Sequence, residues 1–438
     1  MSFYAGPPKE NYGYNLSSVV EPGEAHRKAA TYEDNMPYNF DRTPNRRTPG
    51  VLNKWTYYPE DVLPMWVADM DFPAPKPILD ELRSAVHQGV LGYELASNTL
   101  LETVVARMDR LYRWKVKPES VVPVTGIVSG FNVAARAFGS PLTPAPSPRG
   151  RGERRTGYLV QPPVYNEFHE VKNNVSIPQI EAPFIEHVRG SLLRYEIDWD
   201  LFKKRVRHAS MFLLCSPHNP LGIVFARRDL LRMAEICIEN KVLIISDEIH
   251  SELLLGDTKF TPLAKLSPEI AKNTITLIAP SKTFNVPGLF CGFAIIPDKE
   301  LRDRYIQVVQ HLRLHVASLG LRAARVAFSG QCDGWLQELR SYLTDNRDFL
   351  VEYVTKNMPG VRITVPKATY LAWLDFTQLN LEGSPYEFFL KKAKVALSDG
   401  KIFGGNGEGC VRLNFGTSRK VLKQGLDRMN KALHSLVT

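Results

Sequence analysis

A lysine, an aspartate, an asparagine and a glycine-led turn occupy equivalent places in this chain, each just beyond an apolar run. Lys282 follows Thr274–Ala279, Asp247 follows Lys241–Ser246, Asn219 follows Met211–Cys215, and Thr125-Gly126-Ile127 follows Val121–Val124. Singly, each has an ordinary reading: Lys282 as a surface lysine, Asp247 as a helix N-cap, Asn219 as part of an Asn-Pro turn. In an open α/β sheet, however, ligands bind at the carboxyl ends of the strands, so polar groups of such different chemistry along that edge suggest a site. An amine partly withdrawn from water has a lowered pKa and gains nucleophilicity. Backbone N–H groups at a helix start, closely approachable over Gly126, suit a phosphate.

Pyridoxal phosphate makes this set of demands. Its aldehyde needs an amine, for which Lys282 is the candidate, and its ring nitrogen needs a carboxylate, which Asp247 could provide. The Asn219 amide could donate to the phenolic oxygen, and the helix start at Gly126 and Ile127 could hold the phosphate. Tyr165, in Gln161–Tyr165, could cover the ring or be a core tyrosine. Arg412 stands within the apolar run Val411–Gly416, where an unpaired guanidinium is costly. A substrate carboxylate would satisfy it, and a structural ion pair is the other reading.

The elements that must position these residues follow from the pattern of apolar residues. From about residue 120 to 297, short β-branched runs alternate with amphipathic stretches, as in βαβ units around a mostly parallel sheet, so the fold class is α/β. Helices are expected over Val128–Phe138 and Arg228–Glu239, and a further strand over Gly292–Pro297. Beyond residue 300 the pattern predicts long charged helices over Glu300–Leu319 and Trp335–Asn357, then mixed strands and turns. We expect residues 73–325 to form a large cofactor-binding domain and 326–438 a smaller one, with the Pro-rich residues 1–72 packing mostly on the latter.

Composition narrows the partners. Of the 438 residues, 44% are hydrophobic and 23% charged, which fits a globular protein with a sizeable core. No uncharged apolar stretch approaches the ~18 residues of a membrane span, and Met1–Tyr14 lacks the basic-then-apolar order of a secretory signal. The net charge of +9 gathers locally at Arg46-Arg47 and in Pro144–Arg155. The second segment, rich in Pro, Gly and Ser with no aromatic residue for base stacking, reads as a solvated loop insertion rather than a nucleic-acid arm. Five widely spaced cysteines in no metal-binding pattern suggest reduced thiols and a cytoplasmic protein.

Several motifs together resemble the fold-type-I pyridoxal-phosphate enzymes of the aminotransferase class I/II superfamily, in particular the MalY/PatB-type cystathionine β-lyase branch. They are Trp66–Phe72 (WVADMDF), Gly92-Tyr93, Ser216–Gly222 (SPHNPLG), Ser246–His250 (SDEIH), Ser281–Asn285 (SKTFN) and Arg412–Gly416 (RLNFG). The resemblance runs from about Asn39 onward. It implies that Lys282 is the Schiff-base lysine and the base for the Cα proton, that Asp247 pairs with the ring nitrogen, and that Asn219 and His250 lie near the phenolic oxygen. It further implies that Tyr165 stacks on the ring, that Gly126, Ile127 and Ser281 belong to the cofactor contacts, and that Arg412 clamps the substrate carboxylate with Asn219 beside it. Tyr93 resembles a tyrosine that reaches the neighbouring subunit's site, which implies a homodimer with shared active sites.

Two positions depart from ordinary aminotransferases, which place a serine three residues before the lysine and an arginine two after the following glycine. Here those positions hold Ala279 and, after Gly288, Phe290. The leading expectation is therefore carbon–sulfur β-elimination, with amino transfer to a 2-oxo acid as the alternative. A binding protein that keeps the fold without turnover is a third reading, against which the intact lysine, aspartate and arginine count.

Overall fold

Alternating apolar and amphipathic segments build two large sheets in the computed structural model, which describes residues 38–139 and 157–436. The expectations for Met1–Tyr14 and for the Pro144–Arg155 insertion lie outside the described residues. In chain order the strands are β1 (Leu63–Pro64), β2 (Val121–Val124), β3 (Tyr158–Val160), β4 (Gln179–Glu181), β5 (Ile185–Arg189), β6 (Leu192–Glu196), β7 (Met211–Cys215) and β8 (Leu243–Asp247). They continue with β9 (Thr274–Ile278), β10 (Gly292–Ile295), β11 (Arg362–Thr364), β12 (Leu371–Asp375), β13 (Val395–Ala396), β14 (Ser398–Asp399) and β15 (Cys410–Asn414).

Seven strands form one sheet in the order β2-β10-β9-β8-β7-β3-β4. Only β10 runs against its neighbours, so the sheet is mostly parallel, as the alternation predicts. The two-residue period of its strands separates two cores. Leu213, Ile245 and Leu277 face Phe131 and Phe168 of the helices Ile127–Phe138 and Asn166–Val175. Phe212, Leu214 and Ile244 face the opposite way, onto Phe202, Met233 and Cys237 of the helices Trp199–Val206 and Arg227–Glu239. With both faces covered, the sheet can bind a small molecule only at its edge.

The second sheet has the order β14-β15-β12-β11-β6-β5 and takes the β5–β6 hairpin from the middle of the chain. β1 pairs in parallel with β13. Just after β1, Met65 donates to Ala396 at 2.8 Å and accepts from the Asn414 amide at 3.0 Å, which brings the following residues alongside β15. All five cysteines are buried and unpaired, and burial raises each thiol pKa. No described helix is long and apolar enough to cross a membrane.

The helix expected over Glu300–Leu319 is two helices, Lys299–His311 and Ser318–Ser329. Arg313 takes a left-handed φ of 52°, and Leu314 N–H reaches back to the Val309 carbonyl at 3.1 Å. Such a turn usually carries glycine. With arginine there, the sequence contains no stop signal, and its pattern reads as one helix.

A buried ion pair fixes the turn that follows β8. Arg107, on the helix Asn98–Tyr112, donates to both carboxylate oxygens of Glu252, through Nε at 2.8 Å to one of them. It also donates to Asp333 at 3.0 Å and lies 5.4 Å from the Phe284 ring centroid. Removing one partner strands the other charge in the interior. Glu252→Ala is expected to lower stability by about 3 kcal/mol, the lower end for such pairs because Asp333 remains. Guanidinium denaturation followed by fluorescence checks this, and an unchanged midpoint would show that the pair does not hold the turn.

Candidate active site

The carboxyl ends of β2, β7, β8 and β9 bring the sequence-predicted residues to one edge. Lys282 lies in the single helical turn Pro280–Thr283 after β9, and Asp247 is the last residue of β8. Asn219 follows β7, and its backbone N–H donates to the Cys215 sulfur at 3.3 Å. Gly126 caps the helix Ile127–Phe138 with φ 123°, a conformation that side chains resist.

Arg412 arrives from the other sheet, on β15. It is buried, and its guanidinium donates to Asn219 Oδ1 at 3.1 Å, to the Trp66 carbonyl at 2.9 Å and to Ser398 Oγ at 3.2 Å. Its Nε has no hydrogen-bond partner among the described residues. Among the described residues no carboxylate pairs with it, so the structural ion pair considered from sequence does not form. The amide group of Asn219, whose oxygen is taken by Arg412, keeps its N–H donors for another acceptor.

Lys282 Nζ donates to the Ala68 carbonyl at 2.7 Å. Burial lowers its pKa to about 8; Asp69 and Asp247 act in the opposite direction, and Arg412 reinforces the fall. Asp247 is raised to about 7 by burial, against the Ile249 N–H and the charge of Lys282. His250 is buried, its Nδ1 has no partner among the described residues, and burial holds its pKa down at about 3, so the ring is neutral at ordinary pH. It stands edge-on to Tyr370, with ring centroids 6.2 Å apart.

Tyr165 begins the helix Asn166–Val175 and borders the same core as Ile127. Its hydroxyl pKa is raised, first by burial and then by Glu167 and Asp247. Ser281 is partly exposed beside Lys282. Tyr93 does not join this cluster: it is fully exposed, within a stretch where Val90, Leu91 and Leu95 are exposed as well.

Sequence reasoning singles out Trp66–Phe72 by resemblance but assigns it no role; the structure makes it a strap beside Lys282 and Arg412. Its carbonyls are met by side chains rather than by a sheet. Asn414 donates to those of Val67 and Asp69 at 2.7 Å each, and Tyr370 donates to that of Ala68 at 2.9 Å. The buried Asp71 carboxylate accepts from Lys54 at 3.1 Å, Arg46 at 3.1 Å and Trp55 Nε1 at 2.7 Å. Arg46 thus holds the strap rather than forming an exposed basic patch. The only signal in the sequence is the run of two aspartates and a tryptophan in WVADMDF.

A covered, mostly parallel sheet with a lysine, a carboxylate and an asparagine on its carboxyl edge, and an arginine supplied by a second sheet, is the architecture of the aminotransferase fold. The sequence profile of aminotransferase class I and II matches residues 85–429. The chain belongs to that family. It is 36% identical to cystathionine β-lyase PatB of Bacillus subtilis over 404 residues, covering 90% of this chain and 100% of the relative. It is 26% identical to an aspartate aminotransferase of Pyrococcus horikoshii, over 85% and 91% of the two chains. In three dimensions it is similar to cystalysin from Treponema denticola, whose crystal structure contains a pyridoxal 5'-phosphate cofactor. The TM-score is 0.84 at 28% identity, with 92% of this chain and 100% of that one covered.

A lysine amine lowered in pKa reacts where ordinary lysines are still protonated. In the cofactor-free protein, acetic anhydride labelling of Lys282 read by mass spectrometry is expected to have its midpoint near pH 8, against about 10.4 for exposed lysines. A midpoint at the ordinary value would show that burial does not govern this amine.

Proposed function

We propose that this chain is a pyridoxal-phosphate-dependent carbon–sulfur β-lyase that cleaves cystathionine or S-substituted cysteines to a thiol, pyruvate and ammonia. The observation that carries the reading is Arg412, a buried guanidinium without a carboxylate partner among the described residues. It shares the Trp66–Phe72 strap with the amine of Lys282. An α-amino acid would place its carboxylate on Arg412 and its Cα–H near Lys282.

The residues present fit the cofactor. Among the described residues no side chain caps the helix start at Gly126, and a Cβ there would meet nothing within 4 Å, so its amides have room for a phosphate. Asp247 offers a carboxylate to the ring nitrogen, Asn219 amide donors to the phenolic oxygen, and Tyr165 an aromatic face, with His250, Ile127 and Ser281 around them. Bound, pyridoxal phosphate supplies an electron sink that acidifies the Cα–H of an amino acid. Once the substrate's amine has taken its place on the cofactor, the freed Lys282 Nζ would accept that proton while Arg412 and Asn219 orient the substrate. The pair left on Cα would form the Cα=Cβ bond as the Cβ–S pair departs on sulfur, and the Lys282 ammonium would return its proton to the thiolate. The 2-aminoacrylate left over takes up water once released, giving pyruvate and ammonia.

Amino transfer shares the early steps. Elimination is favoured by the greater identity to PatB than to the aspartate aminotransferase, and by Ala279 and Phe290 at the positions of the serine and arginine that ordinary aminotransferases keep. Phe290 is 66% exposed in a left-handed conformation and offers no charge to a phosphate. Incubation with S-alkyl cysteines should release pyruvate and ammonia with no 2-oxo acid added. Strict dependence on an added 2-oxo acid would establish the transferase instead.

The same proposal includes a homodimer with shared sites. Supporting it, Val90, Leu91 and Leu95 are 78%, 61% and 85% exposed around Tyr93, an apolar surface that a second copy could cover. The division into residues 73–325 and a smaller domain of 326–438 with the N-terminal segment is supported by the pairing of β1 with β13, although β5 and β6 join the second sheet from within the first span. The unpaired cysteines support a reducing compartment, hence the cytoplasm. If sites are shared, mixing Lys282→Ala with Tyr93→Ala, each nearly inactive alone, restores about a quarter of wild-type activity, because half the dimers are mixed and each carries one intact site. No recovery after verified subunit exchange would show that the sites are not shared.

A further inference from the structure

Asn285 lies three residues beyond Lys282, in a left-handed turn with φ 55°. The turn is tightened by Phe284 N–H to the Pro280 carbonyl at 2.9 Å and Val286 N–H to the Ser281 carbonyl at 3.0 Å. From it the Asn285 side chain crosses to the strap and makes three hydrogen bonds. Its Oδ1 accepts from Met70 N at 3.0 Å, and its Nδ2 donates to the carbonyls of Met70 at 3.0 Å and Phe72 at 2.7 Å. The strap in turn supplies the Ala68 carbonyl that receives the Lys282 amine and the Trp66 carbonyl that receives Arg412. A loop whose carbonyls point at reacting side chains is useful only if it cannot shift, and here side chains take the place of strand neighbours.

We propose that Asn285 is a positioning residue which fixes the strap Trp66–Phe72 to the lysine-bearing turn and thereby sets the amine of Lys282 and the guanidinium of Arg412 for the substrate. The inference rests on the lyase reading for its substrate but not for its geometry. Among asparagine's substitutes, glycine adopts the left-handed backbone freely, whereas alanine resists it, and neither can bridge to the strap. The two variants therefore separate the conformational task from the bridging task.

In Asn285→Gly the folded enzyme should keep the exchange protection of β8 and of the helix Ile127–Phe138, while amides of residues 66–72 exchange at least tenfold faster. Its kcat should fall at least tenfold, and the labelling midpoint of Lys282 in the cofactor-free chain should shift from the wild-type value as the strap that buries the amine loosens. Asn285→Ala should show the same faster exchange. If Asn285→Gly instead matches wild type in strap exchange, labelling midpoint and kcat while only Asn285→Ala is impaired, Asn285 serves the turn alone and the proposal is wrong. Wild-type enzyme that forms no pyruvate from S-substituted cysteines would overturn the lyase reading, while the exchange and labelling results would still judge the role of Asn285.

Discussion

Burying a guanidinium that has no counter-ion among the described residues is the constraint around which the candidate site is assembled. Arg412 would be among the most costly residues in the protein were it not for neutral acceptors gathered from separate parts of the chain. Asn219 comes from the edge of the seven-stranded sheet, Trp66 from the strap and Ser398 from the six-stranded sheet, with the Phe403 ring at 4.9 Å. These contacts join both sheets and the strap at one point. None carries a full negative charge, and burial draws the pKa of Arg412 down to about 10. An anion of the right size would complete what the protein leaves unfinished.

The same contrast between completed and unfinished pairing runs through the site. The Asp71 carboxylate is surrounded by donors from Lys54, Arg46 and Trp55, as befits a group whose task is to stay still. Asp247 and Lys282, by contrast, both have pKa values displaced toward neutrality by burial. Groups displaced in that way change protonation at little cost, which is what acid and base chemistry requires.

How much of this is legible in sequence depends on the range of the interactions. Lys282, Asp247, Asn219 and Gly126 can be placed because apolar runs fix strands and the ends of strands fix an edge. Arg412 can be singled out because a charge inside an apolar run is an anomaly at any range. The strap is different: Asn285 meets Met70, and Tyr370 meets Ala68, across more than half the described chain, and no local pattern encodes such meetings. Arg46 illustrates the point, since its neighbour Arg47 makes it look like part of a basic surface, while its actual partners are Asp69 and Asp71. The end of the helix at Arg313 is hidden for the opposite reason, a local conformation adopted by a residue type that rarely signals it.

The five cysteines carry a consequence of their own. An enzyme that liberates thiols works amid reactive sulfur, where an exposed thiolate would exchange into mixed disulfides or persulfides with its own products. Each sulfur here is buried and holds its proton more tightly than free cysteine, Cys215 beneath Asn219 included. The protein is thereby insulated against the redox chemistry of what it would release, and its activity should not depend on the oxidation state of the surrounding thiol pool.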